Sequence, residues 1–347
     1  MARVLVLCGG DNYERRVSLN SADAVTRGLV EAGHEAVKVD TGHPDVVAGP
    51  DQLFFKGESG PATDAEIADA HLSSGGWQTL IQTIINVAPD VVFPILHGGW
   101  GEGGHIQAVL ELLGFPYLGS EPFPSGLAMN KWMARGVAYH LGIPIPYGFM
   151  VRRGEDPDAA FSRLESGDCD LPGACEFPVV VKPNCAGSTV GLVITDKREE
   201  FIKAVKQAHQ WGDDALVEQY ISGQELTVSV INGEAMPVIE IRPKTAFYDY
   251  TRKYTHGATE YLCPAPIPEE VALPASEMSE MFFAGLGCRH LARVDWRLRE
   301  DGALFLLELN TIPGMTDLSL VPMAAKAAGM DMPALMNRFV EMSLKTS

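Results

Sequence analysis

The sequence predicts an α/β protein that begins with a doubly wound parallel sheet and continues as a mixed α+β part. Three observations support this fold class. Short apolar strands alternate with helical patterns in the first third, the spacing of Pro and Gly changes near Pro122, and the last third is rich in strands. We therefore expect an N-terminal domain over 1–122, a central subdomain over 123–216 and a C-terminal subdomain over 217–347.

Size and composition agree with several subdomains. The chain of 347 residues is too long for one ordinary core, and it is 46% hydrophobic and 21% charged, as globular proteins are. A net charge of −18 argues against a nucleic-acid partner, although one nucleotide could bind in a local basic pocket. No apolar run approaches the ~20 residues of a membrane span, and the scattered cysteines show no metal-ligand spacing. We expect a cytoplasmic protein without a membrane partner.

The first third begins with a short apolar strand, Val4–Leu7, which a turn at Gly9-Gly10 ends. A helix follows, and Gly33 stops it. Its apolar positions recur at helical spacing at Ala22, Val25, Leu29 and Ala32. Ala36–Val39 and Val91–Leu96 are further buried strands, whereas 44–76 is a surface excursion with a short helix.

The remaining elements follow from the same periodicities. A helix near Asn130–Leu141 ends at Gly142, and the proline-containing segment 143–146 is a stiff linker. Pro178–Pro183 is predicted as a strand and Glu199–Gln210 as a helix. Further strands are predicted near 215–220, 225–231, 236–242, 292–299 and 303–310, and two helices close the chain.

The most informative segment is a predicted hairpin over 292–310. Asp301-Gly302 is a strong signal for a two-residue turn. With those two residues as the turn, Asp295 lies directly opposite Glu308. Two facing carboxylates repel each other by up to roughly 1 kcal/mol, so their placement favours a cation between them.

The neighbouring residues suggest which cation this hairpin would hold. In the same register Arg293 lies opposite Asn310. Asp295, Glu308 and Asn310 offer hard oxygen ligands, which suit Mg²⁺. The alternative is an exposed polar face whose charge is balanced by Arg297.

A second segment, Lys182–Gly191, has the character of a phosphate-binding loop. A buried strand ends in Lys182, and small residues then let backbone N–H groups approach an anion. Ser188 and Thr189 add hydroxyl donors. The segment lacks the Gly-Lys-Ser/Thr of a Walker loop, and a plain turn is the alternative.

The other glycine-rich segments are less specific. Gly9-Gly10 does not form the dinucleotide fingerprint, which argues against an oxidoreductase. Segment 97–104 leaves room for a ligand beside His97 and Glu102, with a strand-to-helix turn as the alternative. The absence of GxSxG removes the commonest hydrolase class.

Together these segments resemble the motifs of the D-alanine–D-alanine ligases of the ATP-grasp superfamily, in the same order over nearly the whole chain. The matching segments are Gly9-Gly10, Glu14–Leu19, His97–Gln107, Lys182–Gly191, Tyr248–Tyr254, Arg293–Asp295, Glu308–Thr316 and Ser319–Pro322. The resemblance implies a Rossmann-like substrate and dimerisation domain followed by a two-part ATP-grasp fold.

The resemblance also implies the reaction. ATP phosphorylates the carboxylate of one D-alanine, and the amine of a second attacks the acylphosphate. The product would supply peptidoglycan, and with it cell-wall biogenesis and cell shape. Two Mg²⁺ ions, with Mn²⁺ as an alternative, are expected on Asp295, Glu308 and Asn310. A homodimer formed through the N-terminal domain is expected too.

Further residues receive roles by the same resemblance. Glu218 is expected at the adenine amino group and Glu225 at the ribose hydroxyls. The nucleotide set is Lys131, Lys182, Glu218, Ile221 and Glu225. The residues expected to bind the two amino acids are His97, Lys253 and Leu320.

The expected catalytic residues surround the reacting carboxylate. Glu14 should meet the ammonium of the first amino acid, and Arg293 with the Gly314 amide should stabilise the oxyanion. Tyr254, Ser188 and Glu14 should fasten a mobile lid that excludes water. The full catalytic set is Glu14, Ser188, Tyr254, Arg293, Gly314 and Ser319.

Some positions depart from the family pattern and concern the substrate. Many relatives have Ser where this chain has Asn12, and the other departures are Gly103, Ala108 and Asn130. The alternative reading is therefore an ATP-grasp ligase for D-lactate, D-serine or another amino acid. A non-catalytic nucleotide-binding relative is disfavoured, because Lys182, Arg293 and the metal residues are intact.

Overall fold

The structure is a computed structural model that describes residues 1–54, 60–167, 177–187, 191–243 and 259–345. Its described strands form three sheets. Among the described residues, no helix is both long and apolar enough to cross a membrane.

The N-terminal sheet is doubly wound, as predicted. Its strands are β1 (Arg3–Cys8), β2 (Glu35–Asp40), β3 (Val47–Ala48) and β4 (Val91–Pro94). The helices around them are α1 (Arg15–Glu31), α2 (Asp64–Ala70), α3 (Ser74–Val87), α4 (Gly99–Glu102) and α5 (His105–Leu113). The strand order is β3-β2-β1-β4, with β1 parallel to β2 and β4. Alternate residues of β1 pack into separate cores on the two faces, so the sheet is covered on both sides.

The second sheet carries the predicted phosphate-binding segment. Its elements are α6 (Pro122–Met129), α7 (Lys131–His140), β5 (Gly148–Val151), α8 (Pro157–Glu165), β6 (Val179–Pro183), β7 (Val193–Thr195), α9 (Arg198–Gln210) and β8 (Ala215–Gln219). The sheet is antiparallel in the order β5-β8-β6-β7. Helix α7 begins where it was expected, because the Asn130 side chain accepts a hydrogen bond from the N–H of Met133.

The third sheet carries the hairpin. Its elements are β9 (Gln224–Ile231), β10 (Glu234–Ala235), β11 (Ile239–Pro243), β12 (Thr259–Leu262), α10 (Glu269–Gly285), β13 (Leu291–Leu298) and β14 (Leu304–Asn310), before the closing helices α11 (Leu320–Ala327) and α12 (Met332–Lys345). The order is β12-β11-β9-β13-β14, with β10 paired to β9. The strand predicted near 236–242 begins only at Ile239, because Pro237 has no N–H for a strand ladder.

The turn of the hairpin differs from its prediction. Residues 300–302 form a three-residue turn, in which Arg299 donates its N–H to the carbonyl of Ala303. Gly302 has a left-handed φ of 87°, the usual conformation for the last residue of such a turn. The prediction of a two-residue Asp301-Gly302 turn was therefore wrong, and the pairs nearest the turn are shifted by one residue.

A β-bulge nevertheless restores the predicted register at the carboxylates. Leu298 faces Leu304 near the turn, but the register shifts between Asp295 and Trp296. Beyond this shift Asp295 faces Glu308, as predicted. The extra turn residue and the bulge offset each other.

The chain ends return to earlier parts of the fold. Phe339 of α12 packs in the same core as β1 and α1, and its ring lies 6.1 Å from that of Phe93 in β4. Ala134 and Ala138 of α7 pack instead in the core of the third sheet. These contacts join the closing helix to the N-terminal sheet, and α7 to the third sheet. The domain limits near 122 and 216 stay a prediction.

Candidate active site

Glu14 lies where the N-terminal loop meets the predicted phosphate loop. A Cβ atom built on Gly187 would lie 2.9 Å from Oε2 of Glu14, and one on Gly98 would lie 3.3 Å from the same atom. The carboxylate is therefore enclosed by backbone from two other predicted motifs. Only glycine leaves it this room.

Asn12, one of the departures from the family pattern, joins two of these motifs. Its Nδ2 donates to the carbonyl of His97 at 2.7 Å, and its Oδ1 accepts from the N–H of Glu14 at 2.8 Å. A serine hydroxyl has a shorter reach than this amide. Asn12 thus ties the loop of Glu14 to the second motif.

His97 connects the N-terminal sheet to the segment after β14. Its Nδ1 lies 2.9 Å from the carbonyl of Ile312, and because a carbonyl only accepts, Nδ1 carries the proton of this bond. The ring is 5% exposed, and among the described residues its Nε2 has no hydrogen-bond partner. A polar atom of a ligand would satisfy Nε2.

Glu102, the last residue of α4, also connects the N-terminal part of the chain to the segment after β14. Its carboxylate accepts hydrogen bonds from the N–H groups of Gly98, at 3.0 Å, and Ile312, at 3.3 Å. Burial raises the pKa of Glu102, and the nearby charge of Glu14 raises it further. The sequence places Glu102 in a motif but gives no sign of this contact with Ile312.

The predicted metal residues come together, and side-chain cations already contact both carboxylates. Arg293 donates two hydrogen bonds to Asp295, at 2.9 and 2.8 Å. Lys131 Nζ lies 3.1 Å from Oε2 of Glu308. Asn310 donates to Asp295 at 3.2 Å. The expected repulsion between the carboxylates is therefore offset in part by the protein itself.

The donor set still fits a hard divalent cation. Two carboxylates and one amide oxygen would be offered by Asp295, Glu308 and Asn310. In the part of the chain that the structure describes, no three His, Cys, Asp or Glu side chains form a metal-binding group. The alternative in which Arg297 balances these carboxylates is not supported, because Arg297 pairs with Glu225 at 3.4 Å.

Lys131 also links the hairpin to the phosphate loop. Besides contacting Glu308, its Nζ donates to the carbonyl of Ala186 at 2.8 Å. Burial by itself lowers the pKa of Lys131, but the charge of Glu308, its hydrogen bond and the charge of Glu102 together outweigh burial, so the pKa is raised and the side chain stays charged. This lysine places a buried positive charge beside the loop.

Lys182 and Glu218 form a further buried ion pair of the site, with Nζ and Oε2 2.6 Å apart. Arg135 of α7 donates to the other carboxylate oxygen of Glu218. Burial alone raises the pKa of Glu218, but the charges of Lys182, Arg135 and Lys131 and the hydrogen bond from Lys182 together outweigh burial and lower the pKa. Glu218 is therefore a buried, ionised acceptor.

The acceptor end of the predicted site lies just after the hairpin. A Cβ atom on Gly314 would lie 3.0 Å from Oγ of Ser319, which accepts a hydrogen bond from the N–H of Thr316 at 2.9 Å. Ser319 precedes α11, whose first residue is Leu320.

The remaining predicted residues add little to the geometry. Ile221, expected at the nucleotide, is buried. The predicted residues Ser188, Lys253 and Tyr254 lie outside the described residues.

Sequence reasoning missed two polar residues that hold the predicted ones. Thr227 of β9 donates to Asp295 at 2.6 Å, and Arg135 holds Glu218. For Arg135 a signal was present, because it lies four residues after Lys131 and so on the same helical face. For Thr227 the sequence carries no such signal, because its contact with Asp295 follows only from the pairing of β9 with β13.

The arrangement combines three properties. Buried lysines flank a small-residue loop, paired oxygen ligands lie beside one of them, and a glutamate carboxylate lies within contact of the loop. Such a site can bind a polyphosphate with a divalent cation and hold a small cationic group near the terminal phosphate.

The chain is similar to known proteins over nearly its whole length. Residues 3–120 match the family profile described as D-ala D-ala ligase N-terminus, and residues 138–341 match the one described as D-ala D-ala ligase C-terminus. A D-alanine–D-alanine ligase from Syntrophotalea carbinolica is 35% identical over 338 residues, which cover 97% of this chain and 95% of that protein.

Solved structures of other proteins are similar in fold as well. The D-alanine–D-alanine ligase from Bacillus anthracis complexed with ATP superimposes with a TM-score of 0.74 at 28% identity, covering 99% of this chain and 97% of the other. The VanG D-Ala:D-Ser ligase from Enterococcus faecalis gives a TM-score of 0.75 at 25% identity, covering 98% and 99%. The predicted fold class, a doubly wound domain followed by a two-part ATP-grasp fold, is confirmed.

Proposed function

We propose that this chain, which belongs to the D-alanine–D-alanine ligase family, uses ATP to join two D-alanine molecules into D-alanyl-D-alanine for peptidoglycan. The observation that carries the proposal is the position of Lys131, which contacts both the phosphate-loop carbonyl of Ala186 and the hairpin carboxylate of Glu308. The proposed phosphate and metal ligands would thus meet at one buried lysine. The relative complexed with ATP supports the choice of nucleotide.

The nucleotide would lie between the second and third sheets. Lys131 and Lys182 would contact phosphate oxygens, and Glu218 would accept a hydrogen bond from the adenine amino group. Asp295, Glu308 and Asn310 would hold two Mg²⁺ ions, or Mn²⁺, which when bound neutralise the phosphate charge. The ionised state of Glu218 and the oxygen donors of the hairpin support these roles.

The first D-alanine would lie beside Glu14 and His97. The Glu14 carboxylate would attract its ammonium group, and Nε2 of His97 would contact the amino acid. Because Gly187 of the proposed phosphate loop lies beside Glu14, the reacting carboxylate of this amino acid would lie close to the transferred phosphoryl group. The carboxylate oxygen attacks the γ-phosphorus, the bond to ADP breaks, and an acylphosphate forms.

The second D-alanine would then react as an amine. Its carboxylate would be received by Ser319, the Leu320 amide and Lys253. Its neutral amine attacks the acylphosphate carbon, and the tetrahedral intermediate expels phosphate. Arg293 and the Gly314 amide would stabilise the developing oxyanion. Closure of a lid by Tyr254, Ser188 and Glu14 would protect the acylphosphate from water.

D-Serine is a second candidate for the acceptor. The similarity in fold to a D-Ala:D-Ser ligase is as close as that to the D-alanine–D-alanine ligase. The departures at Asn12, Gly103 and Ala108 lie in motifs that surround the first amino acid rather than the acceptor. These departures therefore give no reason to prefer D-serine as the acceptor, and D-alanine stays the first choice.

A substrate panel tests the proposal. Purified protein is incubated with ATP, Mg²⁺ and single or paired D- and L-amino acids or D-lactate, and both phosphate release and product mass are measured. We expect phosphate release and D-alanyl-D-alanine with D-alanine alone. The Glu308→Gln variant is the control for contaminating ATPases. Turnover only with another pair, or none, would refute the proposal.

Cellular placement and assembly complete the proposal. We propose a cytoplasmic homodimer joined through the N-terminal domain, supported by the family membership of residues 3–120. Sedimentation of the purified protein would give its mass in solution.

A further inference from the structure

The network around Glu218 contains a charged residue that the proposed function has not used. Arg135 is 2% exposed and donates hydrogen bonds to the carboxylate of Glu218 and to the carbonyl of Pro146. Lys182 contacts the other carboxylate oxygen. One buried carboxylate therefore has two buried cationic partners.

Arg135 and Lys182 share the carboxylate of Glu218. Burying charged groups costs several kcal/mol unless they are paired, so a carboxylate held by two cations is a costly arrangement to build. The charges of these three side chains sum to +1, which suits a site that receives an anion. A polyphosphate beside the loop that follows Lys182 would be such an anion.

The two cations differ in what they can do. Lysine is a point charge on a flexible stem and can turn to a new partner, whereas the arginine fork is planar and holds two acceptors in fixed directions. Lys182 is the next-to-last residue of β6, just before the phosphate loop. Arg135 is anchored within α7 and to the linker carbonyl of Pro146. Lys182 is therefore the mobile partner and Arg135 the fixed one.

Resting on the proposed function, we propose that Arg135 is a positioning residue for nucleotide recognition. It holds the Glu218 carboxylate in place and charged when Lys182 turns to the phosphates, so that Glu218 can accept a hydrogen bond from the 6-amino group of adenine. Arg135 itself does not touch the nucleotide in this proposal. It acts through Glu218.

The proposal predicts an effect on base selectivity. Inosine triphosphate carries a carbonyl oxygen where adenine carries the 6-amino group. This oxygen and the Glu218 carboxylate both only accept hydrogen bonds, so no hydrogen bond could form between them. A lost hydrogen bond to a charged group corresponds to a preference for ATP of roughly tenfold to a hundredfold. If Arg135 is removed, Glu218 can turn away or take up a proton, and the preference should shrink.

The test measures the ratio of kcat/KM for ATP to kcat/KM for inosine triphosphate, with D-alanine as the other substrate. This ratio does not depend on the fraction of enzyme that is folded. We expect Arg135→Gln to lower it about tenfold and Arg135→Lys about threefold, because lysine keeps the charge but loses the fork. The KM for D-alanine should change little.

A matched control and a double variant separate positioning from general stability. Arg289 also holds one carboxylate, that of Glu121, and one carbonyl, that of Gly119. Arg289→Gln should leave the ratio unchanged. In a Glu218→Gln background, Arg135→Gln should cause no further drop, because the path through Glu218 is already removed.

The outcomes are distinguishable. An unchanged ratio in Arg135→Gln would overturn the inference and make Arg135 a structural residue only. If that variant does not fold, an unchanged ratio in Arg135→Lys overturns it equally. If the unaltered protein makes no ADP with D-alanine, the proposed function fails instead.

Discussion

The backbone of Gly187 lies against the carboxylate of Glu14, so closely that a Cβ atom on the glycine would be 2.9 Å from Oε2. Gly187 belongs to the loop after β6, and Glu14 immediately precedes α1. Residues more than a hundred positions apart in sequence therefore define one wall of the proposed amino acid pocket.

This contact predicts the effect of Gly187→Ala. The atom that must move is the end of a flexible side chain, so we expect little change in melting temperature. The displaced carboxylate should raise the KM for D-alanine, by roughly tenfold if one charge-assisted contact is lost. Steady-state kinetics and a thermal melt measure the two effects.

A helical glycine provides the comparison. A Cβ atom on Gly136 meets nothing within 4 Å, so Gly136→Ala should stabilise α7 slightly and leave the KM for D-alanine unchanged. Equal kinetic effects in both variants would contradict the contact argument.

The hairpin predicts a dependence on Mg²⁺. Glu308→Gln removes one of two facing carboxylates and leaves Lys131 without its ion-pair partner. We expect turnover at saturating ATP to fall by at least roughly tenfold to a hundredfold, with a higher requirement for Mg²⁺. ADP formation titrated with Mg²⁺ measures both. Asp301→Asn, in the exposed turn of the same hairpin, should behave like the unaltered enzyme.

Arg293 and Lys182 should affect different kinetic constants. Arg293→Ala should lower kcat, because the guanidinium is proposed to act on the oxyanion. The activation free energy should rise by about 2.7–4 kcal/mol. Lys182→Ala should mainly weaken ATP binding, because its phosphate contact exists before and during the reaction. Initial rates over a grid of ATP and D-alanine concentrations separate the two. Unchanged turnover in Arg293→Ala would refute its assignment.

The attacking group predicts a pH dependence of the product. An amine must lose a proton before it can attack, so dipeptide formation should rise from about pH 6 to pH 9. With D-alanine and D-lactate supplied together, little D-alanyl-D-lactate should form at pH 7. Mass spectrometry of both products across this range gives the answer. Dominant depsipeptide at pH 7 would overturn the choice of acceptor but not the fold.

The segment around α2 predicts a pH-dependent stability. Arg16 donates two hydrogen bonds to Glu66, at 3.0 and 2.9 Å, and this contact, with the hydrogen bonds from Thr63, lowers the pKa of Glu66 to about 2. A lowered pKa stabilises the folded state above the ordinary pKa, and this stability is lost as pH falls towards 2. Because both side chains are partly exposed, about 0.2–1 kcal/mol is expected.

Denaturant unfolding of Arg16→Gln tests this. The variant should be less stable than the unaltered protein at pH 7, and the difference should begin to shrink below about pH 5. Arg27→Gln removes a more exposed ion pair, that with Asp317, and should cost less. A difference for Arg16→Gln that is constant with pH would show that the ion pair is not its cause.

The hairpin shows how far local sequence can predict a site. The cross-strand pairing of Asp295 with Glu308 was predicted from a two-residue turn. The turn has three residues instead, and a bulge restores the predicted pairing. The pairing was confirmed because alternation along both strands requires the apolar residues to reach the core. The predicted length of the turn was wrong because an Asp-Gly pair is compatible with more than one loop length.

Arg135 shows what local sequence leaves open. Its helical face was predictable, but its partners belong to β8 and to the linker before β5. Which carboxylate a buried arginine meets depends on the packing of α7 between two sheets. No periodicity within the helix contains that information.

The sequence by itself determined the doubly wound start, many of the strands and helices, the residue types of the phosphate and metal motifs, and the family. These follow from local propensity, from the 2.0 and 3.6 residue periods and from short motifs, all of which are local properties. Only the tertiary structure decided that Gly187 encloses Glu14, that His97 reaches Ile312 and that Lys131 joins Ala186 to Glu308. Such contacts join distant segments, and they exist only once three sheets have packed and buried polar groups have found their partners.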